Sequence, residues 1–576
     1  MVVPEEELKF IKLIEDSIQM KIPLVPDLYS YTLGYTVKEN HIEGLGLFSC
    51  GLHSIPEKIN ALSRLKKLFL RGNKLRVLPE ELFLLMALDT LDLSDNRLSK
   101  LPTSIYSAKS LKNLYLESNH LNELPSSVKD LTSLEILDMS ENKFTTLTEE
   151  IFSFKNLKTL DLSSNGLEIL PDKIGDLVNL ELLYLGNNAL KNLPSTIGSL
   201  KSLKRINLRN NQLEELPNSI GELNSLRSLF LKGNHLVQLP ESIGNLKSLK
   251  YLGLSSNNLS SLPSNIGSLF NLENLSLSSN SLTSLPKSIG LLESLLRLEI
   301  SDNQLQDFPE IEKLSSLQIM RLDRNNLRRL PNSIGKLRSL EVLKVDRNEL
   351  EGLPESICDL SNLKELDLYD NKLSALPHNF GTLSSLTILD LSKNLLKTLP
   401  ESIGNLESLR ELDVSTNKLD VLVSSIGALQ KLKNLMLGFN RLQTIPEDIG
   451  LLKNLENLDL GKNKLTKVPE SIGNLKSLKR LYLYYNNLTA IPSSIGNLNS
   501  LKSLYLGNNH LTEIPDSIGN LKTLKYLFLR GNGISKLPKI LHSLPSLKYL
   551  NLEKNDVEDL HDILEDLGDR DVKVFK

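Results

Sequence analysis

The chain contains 576 residues with a formal net charge of −3 at pH 7, and only two of them are cysteines. The near balance of charge excludes a protein that grips nucleic acid through bulk positive charge, and the cysteine count excludes a disulfide framework. The N-terminus lacks the features of a secretory signal, and no apolar run approaches the ~18 residues of a membrane span. These features predict a cytoplasmic protein without membrane insertion.

Residues 1–41 are predicted to form an N-terminal cap over the open edge of the structure that follows. An amphipathic helix would place four apolar side chains on one face, namely Leu8, Ile11, Ile14 and Ile18. Residues 31–37, followed by the turn-like sequence of residues 38–41, predict a hairpin that leads into the next strand.

A unit of 23 residues, which we call a frame, recurs between residues 42 and 559 and carries one asparagine at a fixed place. These asparagines run at that spacing from Asn73 to Asn303 and again from Asn325 to Asn555. One earlier frame has Cys50 in the same place, so the array comprises about 23 frames. Apolar residues alternate with polar ones just before each asparagine, which predicts one short, half-buried strand per frame. Stacking the frames in parallel would bury leucines that a single strand cannot bury.

The recurring residue, which we call the ladder asparagine, is predicted to lie where the chain turns inward from the strand. Buried backbone groups need hydrogen-bond partners there, and a side-chain amide supplies both a donor and an acceptor. Cys50 fits the same place with its weak S–H donor. A structural role is therefore favoured for Cys50 over a redox or metal-binding role.

After the ladder asparagine, most frames read L-x-x-L-P-x-S-I-G-x-L, as from Leu236 to Leu246. The proline suits the first position of a short helical turn, and the glycine permits either a tight chain reversal or close packing. One frame is a residue short between Pro309 and Ile311, and Glu312 replaces its glycine. Both changes fall outside the strand, so they are predicted to alter only the outer side of the array.

Two groups of opposite charge are predicted to lie on the exposed side of the sheet, near the short frame. The residues six, four, two and one places before each ladder asparagine are predicted to be exposed. We call the residues that hold the same place in successive frames a column and name the column by that number, so that column four holds the residues four places before the asparagines. The basic group favours an acidic partner patch, although Glu299, Asp323 and Asp346 could neutralise it; it comprises Arg297, Arg321, Arg324, Lys344 and Arg347. The acidic band is either a binding surface or ordinary repeat background, and it comprises Glu365, Asp367, Asp370, Asp390, Glu411 and Asp413.

A third group lies in the last quarter of the array, where aromatic residues fall on neighbouring strands. Aromatic and arginine side chains are frequent anchors of protein interfaces. This aromatic cluster is predicted to bind a protein, unless the rings merely cover the sheet, and comprises Arg480, Tyr482, Tyr484, Tyr505, Tyr526, Phe528, Arg530 and Tyr549.

Residues 560–576 are predicted to form a C-terminal cap. Their apolar residues fit an amphipathic helix that ends near Gly568, with Leu560, Ile563, Leu564 and Leu567 on one face.

The pattern L-x-x-L-x-L-x-x-N-x-L resembles the leucine-rich repeat family over roughly residues 42–560, and the L-P-x-S-I-G outer segment is similar to its intracellular branch. That branch includes Ras-binding scaffolds, plant intracellular Ras-group proteins and long bacterial or archaeal proteins. The resemblance implies an α/β solenoid, a horseshoe with a concave parallel sheet of about 23 strands and short helical, 3-10 or extended convex segments. It also implies a protein-binding scaffold in intracellular signalling, with small GTPases or phosphatases as partners.

The sequence contains no phosphate-binding loop, zinc-binding signature or nucleophile elbow, and its eight histidines are scattered. We therefore expect neither an enzyme nor a cofactor or metal site, and we expect protein partners rather than nucleic acid. Two alternatives stay open: an exported receptor-like or surface-adhesion module, and a substrate-recruiting subunit whose catalytic partner is a separate chain.

Overall fold

A computed structural model describes residues 3–558, 567 and 571–576. The chain is divided into two compact units, Met1–Ser281 and Leu282–Lys576. In each unit, short strands alternate with short 3-10 helices, so the predicted solenoid of parallel strands and short helical segments is confirmed. Within the part of the chain that the structure describes, no helix has both the length and the apolar composition that crossing a membrane requires.

The first unit begins with helix α1, Glu5–Ile18. Of the four apolar residues predicted to share one face of this helix, Ile11 and Ile14 are buried and Ile18 is half-buried, whereas Leu8 is 42% exposed and its place was wrong. The side chains that this helix does bury are Glu7, Phe10, Ile11 and Ile14.

Glu7 explains why the helix is rotated away from Leu8. Its carboxylate accepts a hydrogen bond from the backbone N–H of Ile42 at 2.8 Å, and it lies 2.6 Å from Nδ1 of His41. A buried carboxylate requires such partners, because leaving it unpaired in the interior would cost several kcal/mol. The two contacts therefore fix which helical face turns toward the sheet.

A hairpin follows where the sequence predicts it. Strand β1, Leu33–Lys38, pairs in antiparallel fashion with strand β2, His41–Leu47. The two residues between them, Glu39 and Asn40, have φ values of 50° and 65°, which suits the tight turns that join two neighbouring antiparallel strands. Strand β1 thus covers the edge of the first frame strand, which would otherwise be open to pairing.

Every further strand of the first unit is three residues long and pairs in parallel with its predecessor, as β10 and β11 do. These strands are β3 (Lys67–Phe69), β4 (Thr90–Asp92), β5 (Asn113–Tyr115), β6 (Ile136–Asp138), β7 (Thr159–Asp161), β8 (Leu182–Tyr184), β9 (Arg205–Asn207), β10 (Ser228–Phe230), β11 (Tyr251–Gly253) and β12 (Asn274–Ser276).

The second unit continues the same pattern of parallel pairing. Its strands are β13 (Arg297–Glu299), β14 (Ile319–Arg321), β15 (Val342–Lys344), β16 (Glu365–Asp367), β17 (Ile388–Asp390), β18 (Glu411–Asp413), β19 (Asn434–Met436), β20 (Asn457–Asp459), β21 (Arg480–Tyr482), β22 (Ser503–Tyr505), β23 (Tyr526–Phe528), β24 (Tyr549–Asn551) and β25 (Lys573–Phe575).

The 3-10 helices mostly follow the frame proline, whose φ of about −68° at Pro240 suits the start of a helical turn. In the first unit they are Glu57–Ala61, Glu80–Leu84, Thr103–Ser107, Ser126–Asp130, Glu149–Ser153, Asp172–Asp176, Ser195–Ser199, Asn218–Glu222, Glu241–Asn245 and Ile266–Ser268. In the second they are Lys287–Leu291, Asn332–Lys336, Glu355–Asp359, Phe380–Thr382, Glu401–Asn405, Ser424–Ala428, Glu447–Leu451, Glu470–Asn474, Ser493–Asn497, Asp516–Asn520 and Lys539–Ser543.

The ladder asparagines satisfy the buried backbone between frames, as predicted. The amide nitrogen of Asn394 donates to the carbonyl oxygens of Leu368 at 2.9 Å and Leu391 at 3.0 Å, while its oxygen accepts from the N–H of Leu373 at 3.0 Å. Each asparagine thus joins its own frame to the preceding one. In the first frame, the Cys50 thiol donates to the carbonyl oxygen of Phe48 at 3.4 Å.

The short frame keeps its strand and loses its helical turn. Strands β13 and β14 pair in register, with Leu298 opposite Met320. No 3-10 helix lies between these two strands, and the chain makes a plain turn at residues 312–313. The backbone N–H of Ile311 instead donates to the hydroxyl of Ser333 in the next frame, at 2.9 Å. The prediction that the deletion leaves the strand intact is confirmed.

The C-terminus adds a strand that the sequence analysis missed. Strand β25 pairs in parallel with β24, which places Phe575 opposite Asn551. Leu567 is buried, as expected of the cap, but most of the predicted C-terminal helix, including Leu560, Ile563 and Leu564, lies outside the described residues.

Candidate functional site

The aromatic cluster occupies the exposed side of strands β21–β24. The register places Tyr482 opposite Tyr505 and Tyr505 opposite Phe528, all in column four. The central leucine of each strand, such as Leu504, points the other way and is fully buried. This alternation follows from the period of two in each strand, so the leucine core holds the rings on the opposite face.

The rings stack on one another across the strands. Centroids of Tyr482 and Tyr505 lie 4.5 Å apart with an interplanar angle of 16°, and those of Tyr505 and Phe528 lie 4.5 Å apart at 6°. Tyr484 meets Tyr482 edge to face at 6.4 Å. Such pairs add roughly 0.5–1.5 kcal/mol each to the effect of burial. The structure therefore brings the predicted rings into one continuous surface.

The row continues beyond the predicted residues to Phe575. In strand β24 the column-four residue is Asn551, which has no ring. The ring of Tyr549, two residues earlier in column six, lies next to Phe528 instead. Its centroid lies 4.9 Å from that of Phe528 and 4.8 Å from that of Phe575. Phe575 was not predicted as part of the cluster, although the alternation from Val572 to Phe575 indicates a short strand.

Two arginines border the rings, as predicted. Arg480 donates to the side-chain oxygen of Asn457 at 3.0 Å, and Arg530 pairs with Glu553 at 2.8 Å. Burial raises the pKa of Tyr505 and of Tyr484, with the charge of Asp459 adding to the rise at Tyr484. Both phenols therefore stay protonated and neutral at physiological pH, and they can donate hydrogen bonds to a ligand.

The basic group is less available than the sequence predicts. Arg297 pairs with Glu299 at 3.3 Å, and Lys344 pairs with Glu365 at 2.6 Å. The guanidinium of Arg347 lies over the ring of Tyr369, 5.5 Å from its centroid. These contacts partly neutralise the group from within the array.

Three members of the basic group stay exposed, and none of them has a carboxylate of the described residues within ion-pair distance; they are Arg321, Arg324 and Arg347. Arg324 has a φ of 54°, the left-handed conformation that recurs just before most ladder asparagines. They are separated from the aromatic cluster by several frames and form no continuous surface with it.

Three aspartates of the acidic band form hydrogen bonds with backbone N–H groups of their own frames. The carboxylates of Asp367, Asp390 and Asp413 accept hydrogen bonds from the N–H two residues further on, at 3.1, 2.8 and 2.8 Å. Burial, reinforced by the charges of Asp346 and Asp390, raises the pKa of Asp367 from 3.8 to about 6. Burial also raises the pKa of Asp413. These aspartates act as caps of the strand ends, which supports the repeat-background interpretation.

The described residues contain no group of three or more His, Cys, Asp or Glu side chains placed to hold a metal ion. Cys50 and Cys358 are both free thiols, and burial raises the pKa of Cys358 to about 11. A thiol with such a pKa stays protonated and is a poor nucleophile.

Comparison with known families gives one consistent result. The family described as "Leucine-rich repeat region" matches residues 45–164, 171–250, 241–323, 301–393 and 423–510. Two further families are also described as leucine-rich repeats. One matches residues 499–557, and the other matches residues 156–177 and 385–406. Comparison with curated proteins finds no match to this chain.

Several solved structures are similar to the chain over nearly its whole length. The plant peptide hormone receptor RGFR1, in complex with RGF2, is 31% identical with a TM-score of 0.74, and the match covers 92% of this chain and 89% of the receptor. The ectodomain of the Arabidopsis receptor kinase HAESA, with an IDA peptide hormone ligand, is 28% identical with a TM-score of 0.63, over 95% and 98% of the two chains. YopM from Yersinia enterocolitica is 26% identical with a TM-score of 0.53, over 88% and 91%.

Proposed function

This chain belongs to the leucine-rich repeat family, and from that premise we propose that it is a non-catalytic scaffold that binds a protein partner through its aromatic cluster. The observation that carries the proposal is the continuous row of stacked rings on strands β21–β25, half-exposed on the sheet face. Aromatic side chains supply large contact areas at low entropic cost and dominate the energetics of many interfaces.

The rings are not needed for strand pairing. In column four, Asn207, Gly253 and Ser276 occupy the places that the rings hold in strands β21–β23, and the strands around them pair in the same parallel register. The leucines beneath the rings are already fully buried, so the rings add nothing essential to the core. A residue type that the fold does not require, repeated on five neighbouring strands, favours a binding role.

The similar structures support a protein or peptide as the partner. Two of them are receptors in complex with a peptide hormone. In its finer form, the proposal places this chain in the cytoplasm, in signalling that involves a small GTPase or a phosphatase, which the family resemblance of the L-P-x-S-I-G segment suggests. Two free, protonated thiols fit a reducing compartment.

The test is capture of a partner from a cell extract by the full chain and by two double variants. Tyr505→Ala with Phe528→Ala should lose the partner, because buried interface rings contribute about 2 kcal/mol or more each, roughly 30-fold in affinity per ring. The matched control is Phe230→Ala with Tyr251→Ala, which removes another pair of neighbouring rings, tilted by 37° with centroids 4.6 Å apart. Circular dichroism and the unfolding midpoint check that both variants fold.

Equal capture by the wild-type chain and the Tyr505/Phe528 variant would reject the aromatic cluster as the binding surface. Equal loss in both variants would show that ring removal harms the array as a whole, and it would also count against the proposal.

A second candidate is an exported receptor-like module, and the similarity to the HAESA ectodomain favours it. The same aromatic cluster would then bind an extracellular peptide. Fractionation of the native cells separates the two candidates: recovery in the cytosol alone eliminates the exported module, and recovery outside the cytosol eliminates the cytoplasmic scaffold.

A further inference from the structure

A row of lysines borders the aromatic cluster on its N-terminal side. It occupies column seven, the residue before each strand, on β21–β24 and comprises Lys479, Lys502, Lys525 and Lys548. The backbone N–H of Lys502 donates to the carbonyl oxygen of Lys479 at 2.8 Å, and that of Lys525 donates to the carbonyl oxygen of Lys502 at 2.8 Å. The lysines are therefore immediate neighbours across the sheet.

Elsewhere in column seven, most lysines pair with a glutamate on an adjacent strand, although basic residues also follow one another at Lys204, Arg227 and Lys250. Lysine and glutamate face each other on adjacent strands, as Lys158 and Glu135 do at 2.7 Å and Lys364 and Glu341 do at 2.9 Å. The alternation stops after Glu456, which pairs with Lys479. Beyond that pair, the described residues place no carboxylate within 4.0 Å of the three remaining lysines. Like charges on adjacent strands disfavour each other, so the fold gains nothing from this row.

The lysine row and the rings enclose one groove of about 600 Å³. Ser503 lies at its centre, in column six between Arg480 and Tyr526. The side chain of Ser503 is small and buried, whereas those of Arg480 and Tyr526 are large. A socket therefore remains above Ser503, between these two side chains. Lys502 and Lys525 form the rim, and Tyr505 and Phe528 form the opposite wall.

The stacking of the rings argues for a protein ligand and against single-stranded nucleic acid. Nucleobases bind such surfaces by stacking on free aromatic faces. Here the faces of Tyr505 are occupied by Tyr482 on one side and Phe528 on the other, each with its centroid 4.5 Å away. At the centre of the stack, Tyr505 therefore offers its ring edge and phenol hydroxyl, which suit amide and aliphatic groups better than bases.

We propose that this groove binds an extended acidic peptide segment, with its carboxylates on the lysine row and an apolar or aromatic side chain in the socket above Ser503. This inference rests on the proposed protein-binding function and specifies the chemistry of the partner. The four lysine-bearing strands span about 14 Å at ~4.8 Å per strand. In an extended peptide, three side chains at alternate positions span the same distance.

The test is fluorescence anisotropy of the full chain with a short labelled peptide that has glutamates at three alternate positions and one tyrosine. Three comparisons are made: the same peptide with glutamines, the variant Lys502→Glu with Lys525→Glu, and the control Lys522→Glu with Lys536→Glu. The control makes the same change of charge on exposed lysines outside the groove. We expect the glutamine peptide and the groove variant each to bind at least about tenfold more weakly, with no change in the control.

Two results would overturn the inference and leave the proposed function standing. One is equal binding of the glutamate and glutamine peptides, or no binding of either up to roughly 1 mM, while Tyr505→Ala with Phe528→Ala still abolishes capture of the cellular partner. The other is displacement of the acidic peptide by a labelled oligothymidine that binds more tightly. If the Tyr505/Phe528 variant also keeps its cellular partner, the proposed function fails as well.

Discussion

Replacing Asn394 by alanine should lower the free energy of unfolding of the second unit by at least about 3 kcal/mol, because each buried polar group left unpaired costs roughly 1–3 kcal/mol. The side chain of Asn394 is 5% exposed and makes four hydrogen bonds within 3.2 Å. Alanine would leave the N–H of Leu373 and the carbonyl oxygens of Leu368 and Leu391 without this partner. The ladder joins each frame to the next alongside strand pairing and the leucine core, so the damage should spread to neighbouring frames.

Urea unfolding followed by circular dichroism measures the loss, and Asn405→Ala is the matched control. Asn405 belongs to the same repeat but is exposed on a 3-10 helix, so its replacement should change the stability by less than about 0.5 kcal/mol. Asn394→Asp keeps the acceptor oxygen and removes the donor, and it should be as harmful as alanine. A stable Asn394→Ala variant would show that the ladder does not hold the frames together.

Replacing Gly381 by alanine is the second substitution with a large expected effect. A Cβ atom there would lie 1.8 Å from the carbonyl oxygen and 2.7 Å from the carbonyl carbon of Ser402, in the next frame. These are backbone atoms, so the outer segments of the two frames would have to move apart. Overpacking of this kind typically costs about 1–3 kcal/mol, and the unfolding midpoint should fall accordingly.

Gly352→Ala provides the control, because a Cβ atom at Gly352 would meet nothing within 4 Å. That variant should be neutral or more stable by up to roughly 1 kcal/mol, since alanine restricts the unfolded chain. Equal midpoints for the two variants would show that the outer segments tolerate separation. The contrast would then refute close packing as the reason for the glycine in the L-P-x-S-I-G segment.

The regular part of the fold could be predicted from the sequence because its determinants are local. Strand positions follow from the alternation around each pair of leucines, and the ladder follows from one asparagine every 23 residues. The role of the outer glycine could not be settled in this way, because close packing depends on the next frame. Gly381 shows that the contact is with Ser402, 21 places further along the chain.

The N-terminal helix forms as predicted, but the place of Leu8 on it was wrong for a nonlocal reason. Spacing alone puts Leu8 on the buried face, but the carboxylate of Glu7 binds the backbone of Ile42, 35 residues away, and turns the helix. Charged residues are usually exposed, so the sequence alone does not predict that Glu7 is buried and accepts a hydrogen bond from the backbone of strand β2.

The candidate site was predicted in part. The rings of columns four and six could be placed because adjacent frames lie on adjacent strands. Phe575 was missed because strand β25 follows the last, degenerate frame. The lysine row was also missed, since column seven precedes the strand and basic residues follow one another there in other frames as well, as from Lys204 to Lys250. Lys204 and Lys250 each pair with a glutamate, whereas Lys502 and Lys525 have no carboxylate of the described residues within ion-pair distance.

Site-specific photo-crosslinking tests the central claim, that the partner binds on the aromatic cluster, most directly. A photoreactive phenylalanine analogue is placed at Phe528 or, as the matched position, at Phe230, which is also a half-buried ring in column four. The captured partner should form a covalent adduct with the chain labelled at residue 528 and none with the chain labelled at residue 230. An adduct at residue 230 alone, or equal adducts at both positions, would contradict the proposed binding surface.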